Sequence, residues 1–282
     1  MLQELKDKVK FQILKKKNAF QPVFLVGCGR SGTTILGTTI GQHESITYLN
    51  ERRDLWHQAY PDFDIWFGQT DSPKLIATSA DHEEIKTNLL KKLFHKEQVL
   101  NNGSVLLEKL PINNFRLEFI QKAFPEAKYI YLHRNGAEVA KSIEHKILTK
   151  NWFGQGGIKW NLLEQLSRDL EFSNKNLENY EKALIEWRYS LQFSEDFFSK
   201  LDANSFYSLS YQSFLENPKQ QIENIYRFLN VEINGAFTTE ITKNIKRSSK
   251  IRTSVSEREI EIGGPNLKLS VEDKLRQTAP NS

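Results

Sequence analysis

The segment Gly27-Cys28-Gly29-Arg30-Ser31-Gly32-Thr33-Thr34 constrains this chain more than any other. It follows the apolar run Val23–Val26 and precedes a helical stretch, Ile35–Ile40. A glycine-rich turn between strand and helix aims free backbone N–H groups, and the positive end of the helix dipole, at an anion. The glycines satisfy G-x-x-x-x-G, but the position of the phosphate-binding lysine of nucleoside triphosphatases holds Thr33. A kinase or ATPase would lack its β/γ-phosphate cation there. Arg30, two residues before the second glycine, supplies a cation instead.

Around this loop the pattern alternates. Pro22–Gly27, Ile46–Leu49, Ser104–Glu108, Lys128–His133 and Ser205–Ser210 read as short buried strands. Helical spacing joins Ile85, Leu89, Leu93 and Phe94, and again Val139, Ile143 and Ile147. Phe115, Phe119 and Ala123 share a further helix, stopped by Pro125. One long helical region is expected from Trp160 to Phe198, and a last helix after Pro218 through Ile222, Ile225, Tyr226 and Leu229. Strands alternating with helices imply the α/β class: a P-loop-type, mostly parallel sheet with helices on both faces, in a single domain. The expected divisions are a basic leader at 1–20, the catalytic domain at 21–262, and a polar C-terminal tail at 263–282.

With 282 residues, 39% of them apolar, the chain can bury a sizeable core. No stretch approaches the ~20 apolar residues of a membrane span. The single cysteine, Cys28, cannot form an internal disulfide, and six scattered histidines add no zinc pattern. A reducing, cytoplasmic compartment and no metal are the expectations. The formal charge is +4, yet Lys6, Lys8, Lys10, Lys15, Lys16 and Lys17 face only Glu4 and Asp7 in the leader, which leaves 33 bases and 33 acids in 18–282. A neutral body argues against a nucleic-acid partner. Leu2, Leu5, Val9 and Ile13 make one helical stripe, so residues 1–17 read as a solvated leader helix, with membrane-surface contact as the alternative. A second basic excess lies in 243–258, where Lys243, Lys246, Arg247, Lys250, Arg252 and Arg258 face Glu257.

Arg30-Ser31-Gly32-Thr33-Thr34 after a strand resembles the 5′-phosphosulfate loop of sulfotransferases that use 3′-phosphoadenosine 5′-phosphosulfate (PAPS). Arginine at position 30 is most similar to the tyrosylprotein sulfotransferases and their bacterial relatives. The resemblance covers most of 22–250. Asn50-Glu51-Arg52-Arg53 resembles the family's Glu-Glu-Thr-Arg, which implies Glu51 as catalytic base and Arg53 as a substrate-side arginine. Glu108-Lys109-Leu110-Pro111 resembles Lys-x-Pro, whose lysine helps stabilise the transferring group. Arg134 with Ser142 resembles the 3′-phosphate site, and Lys146 falls on its second basic position. Tyr211, Phe214-Leu215 and Asn217-Pro218 match a recurrent segment. Lys246-Arg247-Ser248-Ser249 resembles the stretch that returns a serine, Ser248, and basic residues to the nucleotide. The resemblance thus implies Gly29, Arg30 and residues Ser31 to Thr34 around the 5′-phosphate, with Arg30, Glu51, Lys109 and Ser248 in catalysis.

Independently of that likeness, Arg30, Glu51, Lys109 and Arg134 each follow a different expected strand, so all four belong at the carboxyl edge of a parallel sheet. Competing readings stay open at this level. Glu51 also reads as a surface ion-pair residue, Lys109 as an ordinary strand-end lysine, and Glu44, His57 and His82 as rival acids or bases. Trp187 or Tyr189 reads as core or as an adenine platform. Asn135-Gly136 departs from the family's pattern, and 54–100, where acceptor specificity would be built, matches nothing recognisable. The expected activity is sulfuryl transfer from PAPS to a hydroxyl acceptor: a peptide tyrosine, a saccharide, or a small alcohol or phenol. The alternatives are a catalytically inactive nucleotide binder of the same fold and, more remotely, a P-loop kinase.

Overall fold

The β-rich runs form five strands, β1 Pro22–Val26, β2 Ile46–Asn50, β3 Val105–Lys109, β4 Lys128–His133 and β5 Phe206–Ser210, each within a residue or two of its expected limits. They build one all-parallel sheet of order β2-β3-β1-β4-β5 in a computed structural model that describes residues 6, 20, 22–66, 70–168, 176–245 and 254–271. Most of the leader, Ser248 and its neighbours, and the end of the tail lie outside the described residues.

Side chains alternate across the sheet, as a period of two requires. Phe24, Val26, Leu106, Tyr129 and Tyr131 enter one core, and Val23, Leu25, Leu107, Ile130 and Leu132 the other. The second core is closed by α1 (Thr33–Ile40), through Leu36 and Ile40, and by α9 (Pro218–Phe228), through Ile222, Ile225 and Tyr226. The first is larger. It takes Trp56 from α2 (Arg53–Ala59), Leu90 and Phe94 from α3 (Glu84–Leu100), Phe119 from α4 (Leu117–Ala123), and Val139 and Ile143 from α5 (Gly136–Thr149). Helices therefore cover both faces, and the class is α/β as expected. Among the described residues no helix is long and apolar enough to cross a membrane.

Three expectations change. The long helical region is two helices, α6 (Ile158–Leu166) and α7 (Asn179–Phe198). Ser167 folds its hydroxyl back to the Glu164 carbonyl, and a reciprocal Glu178–Glu181 capping box starts α7. Phe115 belongs to a separate 3₁₀ turn, Pro111–Phe115, because Pro111 opens that turn ahead of α4. The residues just beyond 262 also carry a helix, where composition suggests none. After α8 (Tyr211–Glu216), α10 (Gly235–Thr242) and α11 (Glu257–Gly263), a further helix, α12 (Pro265–Val271), packs on α5. Its Leu267 is fully buried, and its Ser270 hydroxyl accepts the Gly136 amide at 2.9 Å. Residues 263–271 read as tail because few apolar side chains lie in them, yet Leu267 is buried and Leu269 packs against the core.

Truncating Leu267 tests the packing of α12. Leu267→Ala should lower the unfolding free energy by about 2–4 kcal/mol in urea titrations, as for other buried leucines. A solvated tail would show no change.

Candidate active site

The register of the sheet assembles the site. Asn50 pairs with Lys109 across β2 and β3, so Glu51 emerges beside Lys109; β1, between β3 and β4, ends next to both. The chain crosses from one side of β1 to the other after β3, which makes this edge the topological switch point where open α/β sheets bind ligands.

In the loop after β1, the Gly27 amide donates to Asn114 Oδ1 at 3.0 Å, and the Ser31 amide to the Cys28 carbonyl at 3.0 Å. Gly32 caps α1 at φ 100°, where a side chain is disfavoured, and the Tyr211 ring would lie 2.3 Å from any Cβ added there. The first bond to the cap runs from Leu36 N to Gly32 O at 3.1 Å, so the amides of Thr33 to Ile35 point out of the helix end. Ser31 Oγ is buried without a hydrogen-bond partner. Free amides occur at every helix start, but the buried, unpartnered Ser31 hydroxyl beside them suits an anion at this helix end.

Lys109 has a fully buried side chain whose Nζ donates to Glu51 Oε1 at 2.8 Å and to Thr34 Oγ1 at 3.0 Å. Arg53 Nη2 holds the other Glu51 oxygen at 3.1 Å, and its guanidinium lies 3.8 Å from the centre of the Trp66 ring. Arg52 turns away, to Asp54 and Glu97. Burial pushes the Glu51 carboxyl up, but Lys109 and Arg53 together outweigh it and hold the group below the ordinary carboxylate value. Burial pulls the Arg53 guanidinium down, partly offset by Glu51 and Asp64. Glu51 is thus a carboxylate at neutral pH, aimed at the mouth of the anion loop.

On the other flank, Arg30 Nε donates to Ser142 Oγ at 3.1 Å, and Arg134 Nη1 to the Arg30 carbonyl at 3.2 Å. Arg134 pairs with Glu138 at 2.9 Å and lies 4.4 Å from the centre of the Tyr211 ring. Lys146 is one turn beyond Ser142 on α5. Among non-glycine residues described, positive φ occurs at Arg30 (71°), Glu51 (54°) and two asparagines, Asn102 and Asn230. Asparagine tolerates that region; arginine and glutamate adopt it at a cost and only where surroundings insist.

The rival readings separate on position. Glu44 precedes β2 and so lies at the opposite edge of the sheet from Glu51. His57 Nδ1 stands 3.7 Å from Asp64 Oδ2, engaged away from the Lys109 pair. Trp187 is buried and donates to the Arg134 carbonyl at 3.3 Å, and the Tyr189 hydroxyl donates to the Leu166 carbonyl at 2.7 Å, so both serve the core. The basic excess of 243–258 is partly spent elsewhere: Lys243 pairs with Glu240, and Arg258 with Glu181 and Glu261. Sequence reasoning passed over Glu138, although its i, i+4 spacing from Arg134 was a usable signal. It also passed over Trp66 and Trp152, which carry no motif.

The architecture is similar to that of the sulfotransferase domain from the curacin biosynthetic pathway, at 17% identity and a TM-score of 0.55 with 94% of each chain covered. It is also similar to sulfotransferase STF9 from Mycobacterium avium, at 14% identity and 0.54, covering 98% of this chain and 82% of that one. The model of the sulfotransferase family matches residues 22–235. The chain belongs to the sulfotransferase family. An uncharacterized protein of Aquifex aeolicus (strain VF5) is 22% identical over 229 residues, 74% of this chain, and the chain spans 25% of that relative's length.

In this sulfotransferase the Glu51 carboxyl is held low, so the stability it contributes is present above the ordinary carboxylate value and lost as the pH falls through the lowered one. The difference in urea stability between the wild type and Glu51→Gln should be largest near neutrality and close progressively below about pH 4. A difference independent of pH would mean that the charge of Glu51 contributes nothing.

Proposed function

We propose that the chain transfers a sulfuryl group from PAPS to a hydroxyl acceptor, with Glu51 as the general base. The observation that carries this reading is the meeting of Glu51, Lys109 and Thr34 within hydrogen-bond reach at the mouth of an anion loop. The orphan Ser31 hydroxyl and the free end of α1 suit a phosphate. The donor supplies the sulfuryl group and leaves as adenosine 3′,5′-bisphosphate.

Gly29, Arg30, the Ser31 hydroxyl and the amides of Gly32 to Thr34 bind the 5′-phosphate end, where negative charge accumulates as the group departs. Arg30 stays protonated throughout, so it stabilises that charge without donating a proton. Lys109, held between Thr34 and Glu51, reaches the transferring group. Glu51 accepts the proton of the acceptor hydroxyl as the new oxygen–sulfur bond forms, a role that contributes typically ~10²–10⁴-fold. Arg53, fixed on Trp66, faces the acceptor side. Arg134 and Ser142, with Lys146, clasp the 3′-phosphate, the arginine being suited to two-point contact. Ser248 falls outside the described residues and is kept here on resemblance alone. Acceptor candidates remain a peptide tyrosine, a saccharide, or a small alcohol or phenol, because Glu51 asks only for a hydroxyl.

Calorimetry with adenosine 3′,5′-bisphosphate, against ATP with Mg²⁺, tests the reading directly. Binding of the bisphosphate alone is the expected result; preference for ATP would overturn it in favour of a kinase. Arg134→Ala should weaken bisphosphate binding by about tenfold or more, the worth of one charge-assisted contact; an unaltered affinity would place the 3′-phosphate elsewhere. With an acceptor found by screening against ³⁵S-labelled PAPS, Glu51→Ala should cut kcat by ~10²–10⁴-fold and leave bisphosphate affinity nearly unchanged. Equal loss of both would mark Glu51 as a structural residue, and binding without transfer to any acceptor would favour the inactive binder.

A further inference from the structure

A buried ion pair outside this constellation has no part in the chemistry above. Glu186 on α7 and Lys159 on α6 retain 3% and 6% of their side-chain exposure and meet at 2.5 Å. Replacing such a pair by apolar residues is often neutral or stabilising, so its stability contribution does not explain it. Its third member does. The Trp152 indole N–H donates to the second Glu186 oxygen at 2.8 Å, and the Lys159 ammonium lies 4.6 Å from the centre of the Trp152 ring. The far edge of that ring presses on the phosphate loop: a Cβ added at Gly29 would lie 2.8 Å from it.

The backbone around Trp152 is held by its own bonds: the Trp152 amide donates to the Lys150 carbonyl, that of Gln155 to the Trp66 carbonyl and that of Lys159 to the Phe153 carbonyl, each at 2.9 Å. Gly154, Gly156 and Gly157 all take positive φ, and Gly156 and Gly157 have open space around them. Those bonds fix the path of the chain, while the rotamer of the indole it carries is set by what the ring itself touches. Glu186 orients this one by a charge-assisted hydrogen bond, with Lys159 over the ring and the core packed against it.

We propose that Glu186 is a positioning residue of the phosphate loop, acting through Trp152 to hold Gly29 in the shape that receives the donor's 5′-phosphate end. This rests on the reading of the loop as the donor site. Loss of the indole frees Gly29, a residue with no side chain of its own to resist, and the loop then binds its ligand after paying for its own ordering.

The test is a double-mutant cycle on adenosine 3′,5′-bisphosphate affinity, by calorimetry on the full chain, with melting temperatures alongside. Trp152→Ala should weaken binding about tenfold, Glu186→Gln by several-fold, and the double variant no more than Trp152→Ala alone. Trp152→Phe, which keeps a ring on Gly29 but removes the N–H, should fall between the wild type and Trp152→Ala and be insensitive to Glu186→Gln. Equal effects of Glu186→Gln in both backgrounds would overturn the proposal, as would lower melting temperatures with unaltered affinity. Should Glu186→Gln fail to fold, the neutralised pair Lys159→Met/Glu186→Gln replaces it in the same cycle with the same expected dependence on Trp152. A wild type that binds no bisphosphate would refute the donor reading itself, and the positioning role with it; wild-type binding with no change in any variant would refute only the latter.

Discussion

A lysine with no exposed side-chain surface has to meet its charge with something, and Lys109 meets it with Glu51. That contact depends on the sheet. β2 and β3 must run parallel and in the register that puts Asn50 opposite Lys109, or the carboxylate emerges at the wrong height. It depends as well on a distorted backbone at Glu51, whose amide is tied to the Lys109 carbonyl at 2.8 Å while φ stands at 54°. Without Glu51 the buried ammonium would keep only the Thr34 hydroxyl at 3.0 Å, so the pair ties the register of the sheet to the geometry of the site. The pair also sets the resting state of the carboxylate. Glu51 is kept ionised by Lys109 and Arg53, of which Lys109, under the proposed reading, also reaches the transferring group.

The fold was largely legible because its signals are local. Each strand is a short buried run between polar turns, and the two faces of the sheet divide cleanly on odd and even positions, as with Leu106 and Leu107. The misreadings came where a single residue outweighed periodicity. Ser167 ends α6 inside what the apolar spacing presents as one helix, and Leu267 anchors nine residues that composition presents as tail. Neither effect can be seen without knowing what the residue touches.

The site divides along the same line. The candidate residues Arg30, Glu51, Lys109 and Arg134 sit at or shortly after strand ends, where a one-dimensional reading can place them, and with Ser142 of α5 they gather at one edge. What holds them was not legible. Tyr211 is the clearest instance: one ring presses on Gly32 and carries Arg134, joining the anion loop to the flank across the sheet. Its neighbours along the chain mark it only as part of a turn before a helix. The strained φ of Arg30 and Glu51 is equally silent in sequence, since only glycine advertises a left-handed backbone.

The cations of the site differ in how they are met, and that difference bears on which ligand can be held. Lys109 and Arg53 share Glu51, and Arg134 is engaged by Glu138. Arg30 donates to a neutral hydroxyl, that of Ser142. A cation already paired with a carboxylate gains little from a weak, singly charged anion, which must compete with that carboxylate. It gains more from a ligand anchored elsewhere, whose second anionic group arrives at high effective concentration. Arg30 and the free end of α1 are suited to the first contact, and Arg134 to the second. Under the proposed reading, a donor with phosphates at both ends of its ribose satisfies that order of engagement, whereas inorganic phosphate or sulfate, limited to one group, meets only the first half.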